Sequence, residues 1–168
     1  MPRRKQQEGK AAVRWLSAEQ ERAWRSVGNL VHKLRWALEC QLERDSGLSF
    51  IEYHALARLS EEPGRRLRMS ELAAVTNASL SRLSHLVKRL ESWGFVRREP
   101  DVNDGRYTIA ILTDDGYAKL VASAPAHVHC VRELVIDEFS PAELQQLQRL
   151  CDRIVARIDA SDWRQELS

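Results

Sequence analysis

The sequence predicts a mainly α-helical fold with a small β-hairpin wing, flanked on both sides by long helices. Three observations predict it. Three serine-led capping boxes write helix starts, at Ser17-Ala-Glu-Gln20, Ser49-Phe-Ile-Glu52 and Ser140-Pro-Ala-Glu143. Long apolar seams at helical spacing occupy the regions after Ser17 and after Ser140. Past Gly94 the pattern changes to short runs that alternate like strands.

From Ser17, the positions Ala23, Val27, Leu30, Leu34, Ala37/Leu38 and Gln41/Leu42 recur at steps of three and four. They predict an amphipathic helix of about 25 residues, roughly 38 Å long. Phe50 to Ser60 reads as a second helix, closed by the breaker Glu61-Glu62-Pro63-Gly64. Ser70 is expected to cap a short helix over Glu71 to Thr76, and Asn77 or Ser79 to cap the next, which ends at Gly94. Phe95 to Arg98 and Tyr107 to Leu112 read as strands. The turn between them, Pro100 to Gly105, offers positive-φ candidates in Asn-Asp-Gly. A long helix follows from Thr113, with a kink or short break expected at Pro125. The last helix starts at Ser140 and carries Leu144, Leu147, Leu150, Ile154, Val155 and Ile158 as a narrow seam. Helix, turn, helix and hairpin together make a winged helix-turn-helix.

Composition bounds the rest. The chain has 168 residues, 43% hydrophobic and 30% charged, which is ordinary for a soluble globular protein. No apolar run approaches the roughly 20 residues of a membrane span, and the basic start has no apolar core of a secretory signal. Three scattered cysteines, Cys40, Cys130 and Cys151, suit reduced thiols in a cytoplasm better than a disulfide framework. Net charge is only +2, yet Gly64 to Arg98 holds a local +6 and Pro2 to Arg14 a further +4, which leaves the remainder near −8. Such a layout concentrates phosphate attraction on one surface.

Candidate functional residues lie in that basic middle. On the helix from Ser79, the residues Leu80, Leu83, Leu86/Val87 and Leu90 form the expected buried stripe. Ala78, Ser81, Arg82, His85, Lys88 and Arg89 form the opposite one. Small residues at the N-terminal end admit the helix to a major groove, and the donors beyond reach base edges or phosphates. Arg106 sits at the hairpin tip, where it can enter a narrow minor groove, with Asp104 placed to hold its guanidinium. Arg97 and Arg98 on the first wing strand are expected to meet phosphates. A winged helix used only as a protein-interaction module would better suit an acidic or apolar recognition face, and the Arg82, Lys88, Arg89 stripe speaks against it. No nucleophile–base pair, phosphate-binding glycine loop or carboxylate cluster suggests an enzyme, and no cofactor is implied. His127-Val-His129-Cys130 does not make a metal site, because residues two apart on a helix diverge.

Ser70-Glu-Leu-Ala73, the run Leu83 to Arg98, Asp104-Gly-Arg106 and Leu112-Thr-Asp-Asp-Gly116 resemble the multiple-antibiotic-resistance regulator (MarR) family. The resemblance covers roughly Ser17 to Ile158. It implies a homodimer whose terminal helices interlock and present two winged domains to a pseudo-palindromic operator in double-stranded DNA. Half-sites would lie roughly 34 Å apart. On this reading residues 1–16 are a basic extension, 17–48 a dimerisation helix, 49–112 the DNA-binding domain and 113–168 the C-terminal dimerisation helices. Family members are usually repressors released by a small phenolic or anionic ligand or by cysteine oxidation. His32, Trp36 and Tyr53 are the candidates to line a ligand cleft, while Cys40 reads as an inert small hydrophobe.

Overall fold

The computed structural model describes residues 13–161, so most of the basic extension at residues 1–16 lies outside the described residues. The chain divides into two compact units, residues 1–34 and 35–168. Helix α1 (Ala18–Ser46) begins in the first and ends in the second. It starts where the capping box predicts: Ser17 N–H donates to Gln20 Oε1 at 2.9 Å and Gln20 N–H to Ser17 Oγ at 3.3 Å. In the first unit its apolar residues Trp24, Val27, Leu30 and Val31 are all exposed. In the second it buries Leu38, Gln41 and Leu42.

The second unit continues with α2 (Phe50–Glu61), β1 (Arg66–Arg68), α3 (Met69–Val75) and α4 (Leu80–Ser92). Strands β2 (Val96–Pro100) and β3 (Thr108–Leu112) follow, then α5 (Asp114–Leu134) and α6 (Pro141–Asp159). The sheet is antiparallel throughout, in the order β1-β3-β2, so β3 is central. Val96 pairs Leu112 and Pro100 pairs Thr108 along the hairpin, while Leu67 of β1 pairs Ala110. The predicted hairpin thus gains a third strand. Three residues are too few to show alternation in sequence, and β1 exists because β3 offers it a partner edge.

One core holds this unit together. Ala55, Leu56 and Leu59 of α2 meet Leu72 and Ala73 of α3, Leu83, Val87 and Leu90 of α4, and Val96, Ala110 and Leu112 of the sheet. Several sequence expectations are corrected. Leu80 is 55% exposed and lies outside the buried stripe of α4. Helix α3 starts earlier than Ser70 implied: Arg68 is its N-cap, and the Arg68 backbone N–H donates to Glu71 Oε2 at 3.1 Å. Ser79, not Asn77, caps α4, and Asn77 instead turns the chain at φ +52°. No break occurs at Pro125, and α5 runs through it as one helix. Helix α6 starts on its predicted capping box and has no buried residue among the described residues.

The end of α4 and the start of α5 lock together. Gly94, at φ +78°, closes α4 in a Schellman motif: Gly94 N–H donates to Glu91 O and Phe95 N–H to Leu90 O, both at 2.9 Å. Thr113 then caps α5, and it also ties back to that turn. Its N–H donates to Phe95 O at 3.1 Å and its hydroxyl to Gly94 O at 2.6 Å. Gly116 lets the two meet, because a Cβ there would lie 2.0 Å from Phe95 O and 2.8 Å from Leu112 Cδ1. Gly116→Ala is therefore expected to destabilise the unit by about 1–3 kcal/mol through a backbone clash. Gly105→Ala, with nothing within 4 Å of its Cβ, should be near neutral. Urea unfolding of the two variants checks this.

Candidate nucleic-acid interface

Helix α4 presents Ser81, Arg82, His85, Lys88 and Arg89 on its exposed side, with Leu83, Leu86, Val87 and Leu90 beneath. Ser79 Oγ accepts from Arg82 N–H at 3.3 Å, so this serine is occupied as the helix cap. Leu80 and Ser84 face a crevice of about 420 Å³ shared with Met69, Arg98, Arg106 and Tyr107. That crevice separates the helix from the wing, which explains why Leu80 is absent from the core.

The wing is built by aspartates. None of Asn103, Asp104 and Gly105 adopts the positive φ expected of them. Two successive Asx turns shape the loop instead: Asp101 Oδ1 accepts from Asn103 N–H at 2.9 Å and Asp104 Oδ1 from Arg106 N–H at 3.2 Å. Asp104 also grips the Arg106 side chain, with Nε to Oδ1 at 2.9 Å and Nη2 to Oδ2 at 2.6 Å. This fork-on-fork pair holds the Asp104 carboxyl below its usual range. Arg106 itself stays 84% exposed at the tip.

Sequence reasoning missed the residue at the base of the wing. Asp101 is only 5% exposed, and its Oδ2 accepts from Arg68 Nε at 2.8 Å. The Arg68 guanidinium lies 4.6 Å from the Tyr107 ring centre, so strand β1 is clamped to both ends of the wing loop, at Asp101 and at Tyr107 just before β3. The pair is 33 residues apart in sequence, and nothing in local spacing signals it.

The basic surplus between Gly64 and Arg98 is largely spent inside the fold. Arg65 pairs Asp114 at 3.1 Å and stacks on Tyr117, and Arg98 pairs Glu91 at 2.6 Å. Arg97 pairs Glu99, and Arg89 pairs the buried Glu52. Arg82 and Lys88 are exposed and have no ion-pair partner among the described residues. The cations left unneutralised on α4 are therefore fewer than its sequence suggests.

Glu52 is 1% exposed, the least accessible charged side chain of the site. Its Oε2 accepts from the Ser49 N–H and hydroxyl, both at 2.8 Å, and its Oε1 from Arg89 Nε. Burial alone would raise this carboxyl. The Arg89 guanidinium and the Ser49 donors outweigh it and hold Glu52 below the ordinary carboxylate range.

His32 and Trp36 are exposed, whereas Tyr53 is half-buried with its ring 4.5 Å from that of His127. His127 Nδ1 lies 3.0 Å from Gln41 Oε1, and burial lowers its pKa. His129 turns away toward Glu133, at 3.3 Å. Cys40 and Cys151 are exposed, and burial pushes the half-covered Cys130 thiol up. No helix among the described residues is long and apolar enough to cross a membrane.

The model of the MarR family matches residues 46–106, the span from the end of α1 to the wing tip. A MarR family transcriptional regulator from Streptomyces coelicolor, solved in complex with DNA, is 44% identical, with a TM-score of 0.84, over 89% of this chain and 94% of that one. AbsC, a MarR family transcriptional regulator from the same organism, is 37% identical with a TM-score of 0.83, over 89% of this chain and all of that one (100%). An HTH-type transcriptional repressor of Mycobacterium tuberculosis is 29% identical over 108 residues, 64% of this chain and 76% of the relative.

Because Glu52 is held below its ordinary range in the fold, the unfolded chain takes up its proton first as pH falls. Its contribution is present above about pH 4.3 and disappears as pH drops through the folded value. Glu52→Gln is expected to lower stability at neutral pH by about 1–2 kcal/mol, discounted because Arg89 is half-exposed. The difference between variant and wild type should then shrink on acidification. Urea midpoints measured across the acid range check both the size and the sign.

Proposed function

This chain belongs to the MarR family of transcriptional regulators, and from that premise we propose that it represses transcription as a homodimer on a pseudo-palindromic operator. Helix α4 enters the major groove of each half-site. Ser81, Arg82 and His85 face base edges, and Lys88 meets phosphate. Arg106, its guanidinium gripped by Asp104, enters the adjacent minor groove, where the negative potential is strongest.

The observation that carries this reading is the division of cations on the exposed face. Arg82 and Lys88 on α4 have no ion-pair partner among the described residues, and Arg106 projects from a wing whose loop is fixed by side-chain hydrogen bonds. Preorganised donors of this kind lose little entropy on meeting a phosphate or base edge. The relative solved with DNA and the relative named a repressor support the partner and the sign. The dimer is supported by apolar faces that stay exposed among the described residues: Trp24, Val27 and Leu30 in the first unit, and Leu150, Ile154 and Val155 on α6 in the second. Stripes of this size are buried in a stable protein, and a second copy supplies matching ones. Residues 17–48 and 113–168 are accordingly the dimerisation segments, and residues 49–112 the DNA-binding domain. A small phenolic or anionic effector releases the operator, with Tyr53 among its contacts.

Arg106→Ala is expected to weaken operator binding by about tenfold or more and to reduce the salt dependence by about one ion per protomer. Arg82→Ala and His85→Ala should instead change which bases are preferred, each by about 1–3 kcal/mol of discrimination. Selection from a random-sequence duplex library, followed by anisotropy titration at several salt concentrations, tests both. The reading fails if wild type enriches no sequence and none of these substitutions alters duplex binding.

A further inference from the structure

Arg89 lies on the exposed stripe of α4, within the set that sequence reasoning assigns to DNA, yet its guanidinium is turned toward the protein. Its Nε donates to Glu52 Oε1, and Glu52 is 1% exposed and anchored through Ser49 to the N-terminus of α2. Glu39 and Glu43 of α1 add to the negative field at Arg89, and Glu39 Oε2 also accepts from the Phe50 N–H at 3.1 Å. On its other side the guanidinium lies 5.2 Å from the Trp93 ring centre. One buried carboxylate therefore pairs this cation of α4 directly, and two more on α1 add to the field around it. A phosphate would have to displace Glu52, and taking Arg89 away would leave that carboxylate charged and buried without its partner, which is costly.

We propose that Arg89 is a positioning residue rather than a DNA contact: its ion pair with buried Glu52 ties the C-terminal half of the recognition helix to the corner between α1 and α2. The pair sets how far and at what angle the outward residues Arg82, His85 and Lys88 project. The inference rests on the operator-binding reading above and assigns Arg89 the opposite role from its neighbours on the same stripe.

The two roles predict opposite signs for a substitution that never touches DNA. If Arg89 positions the helix, Glu52→Gln weakens binding, because the helix loses its tether. If Arg89 binds phosphate, Glu52→Gln releases it from a competitor and strengthens binding. The full-length protein, Glu52→Gln, Arg89→Gln and the double variant would be titrated by anisotropy against the duplex that wild type selects from a random-sequence library. The expected result is a loss of roughly tenfold for each single variant, a double variant no weaker than the singles, and a salt slope equal to that of wild type. The inference is overturned if Glu52→Gln binds as tightly as wild type or tighter, or if Arg89→Gln lowers the salt slope by about one ion per protomer.

Circular dichroism identifies a Glu52 variant that does not fold. In that case the salt slope of Arg89→Gln decides alone: unchanged supports positioning and a lowered slope overturns it. Should wild type select no duplex, the operator reading fails by itself. Amide exchange along Leu83 to Leu90 then tests the tether: faster exchange in Arg89→Gln supports it and unchanged exchange overturns it.

Discussion

The arrangement of the site depends on one buried carboxylate. Glu52 closes the capping box of α2 through Ser49 and, with its other oxygen, takes the Arg89 guanidinium from α4. A carboxylate this inaccessible is tolerable only when its oxygens are hydrogen-bonded, and here each accepts from at least one donor. The constraint acts both ways. It caps the start of α2, and it ties the C-terminal half of α4 to that helix.

The same logic recurs in the wing. Asp101 is buried and gripped by Arg68, and Asp104 holds Arg106, so both ends of a loop with little apolar content are set by charge-assisted hydrogen bonds. The consequence is a shift in what the basic residues mean. Five of the eight Lys/Arg between Gly64 and Arg98 are engaged by Asp114, Asp101, Glu52, Glu99 and Glu91. Most of the cations that make this stretch look uniformly basic are neutralised within the fold.

How much of this was legible beforehand varied with the range of the interaction. The capping serines Ser17, Ser49 and Ser140, the closing Gly94 and the Thr113 cap all act within a few residues, and their signals stand in the sequence. So did the Asp104–Arg106 contact, two residues apart. Strand β1, the Arg68–Asp101 clamp and the Arg89–Glu52 pair were not readable, because each joins segments more than thirty residues apart. Leu80 illustrates the same limit from the other side. Its helical phase matches the core stripe, but the wing's position leaves it facing a crevice.

The sequence by itself determined the helices and the hairpin, their order and the resemblance to the family, because helix caps, turn residues and apolar periods are local and each carries its own physical cause. Only the tertiary structure decided which charges remain available. An arginine reads identically in sequence whether it faces water or a buried carboxylate, and its partner is chosen by the packing of helices far apart along the chain. Arg82, Lys88 and Arg89 differ little as letters on one helical stripe. The fold separates them by placing Glu52 beneath the last.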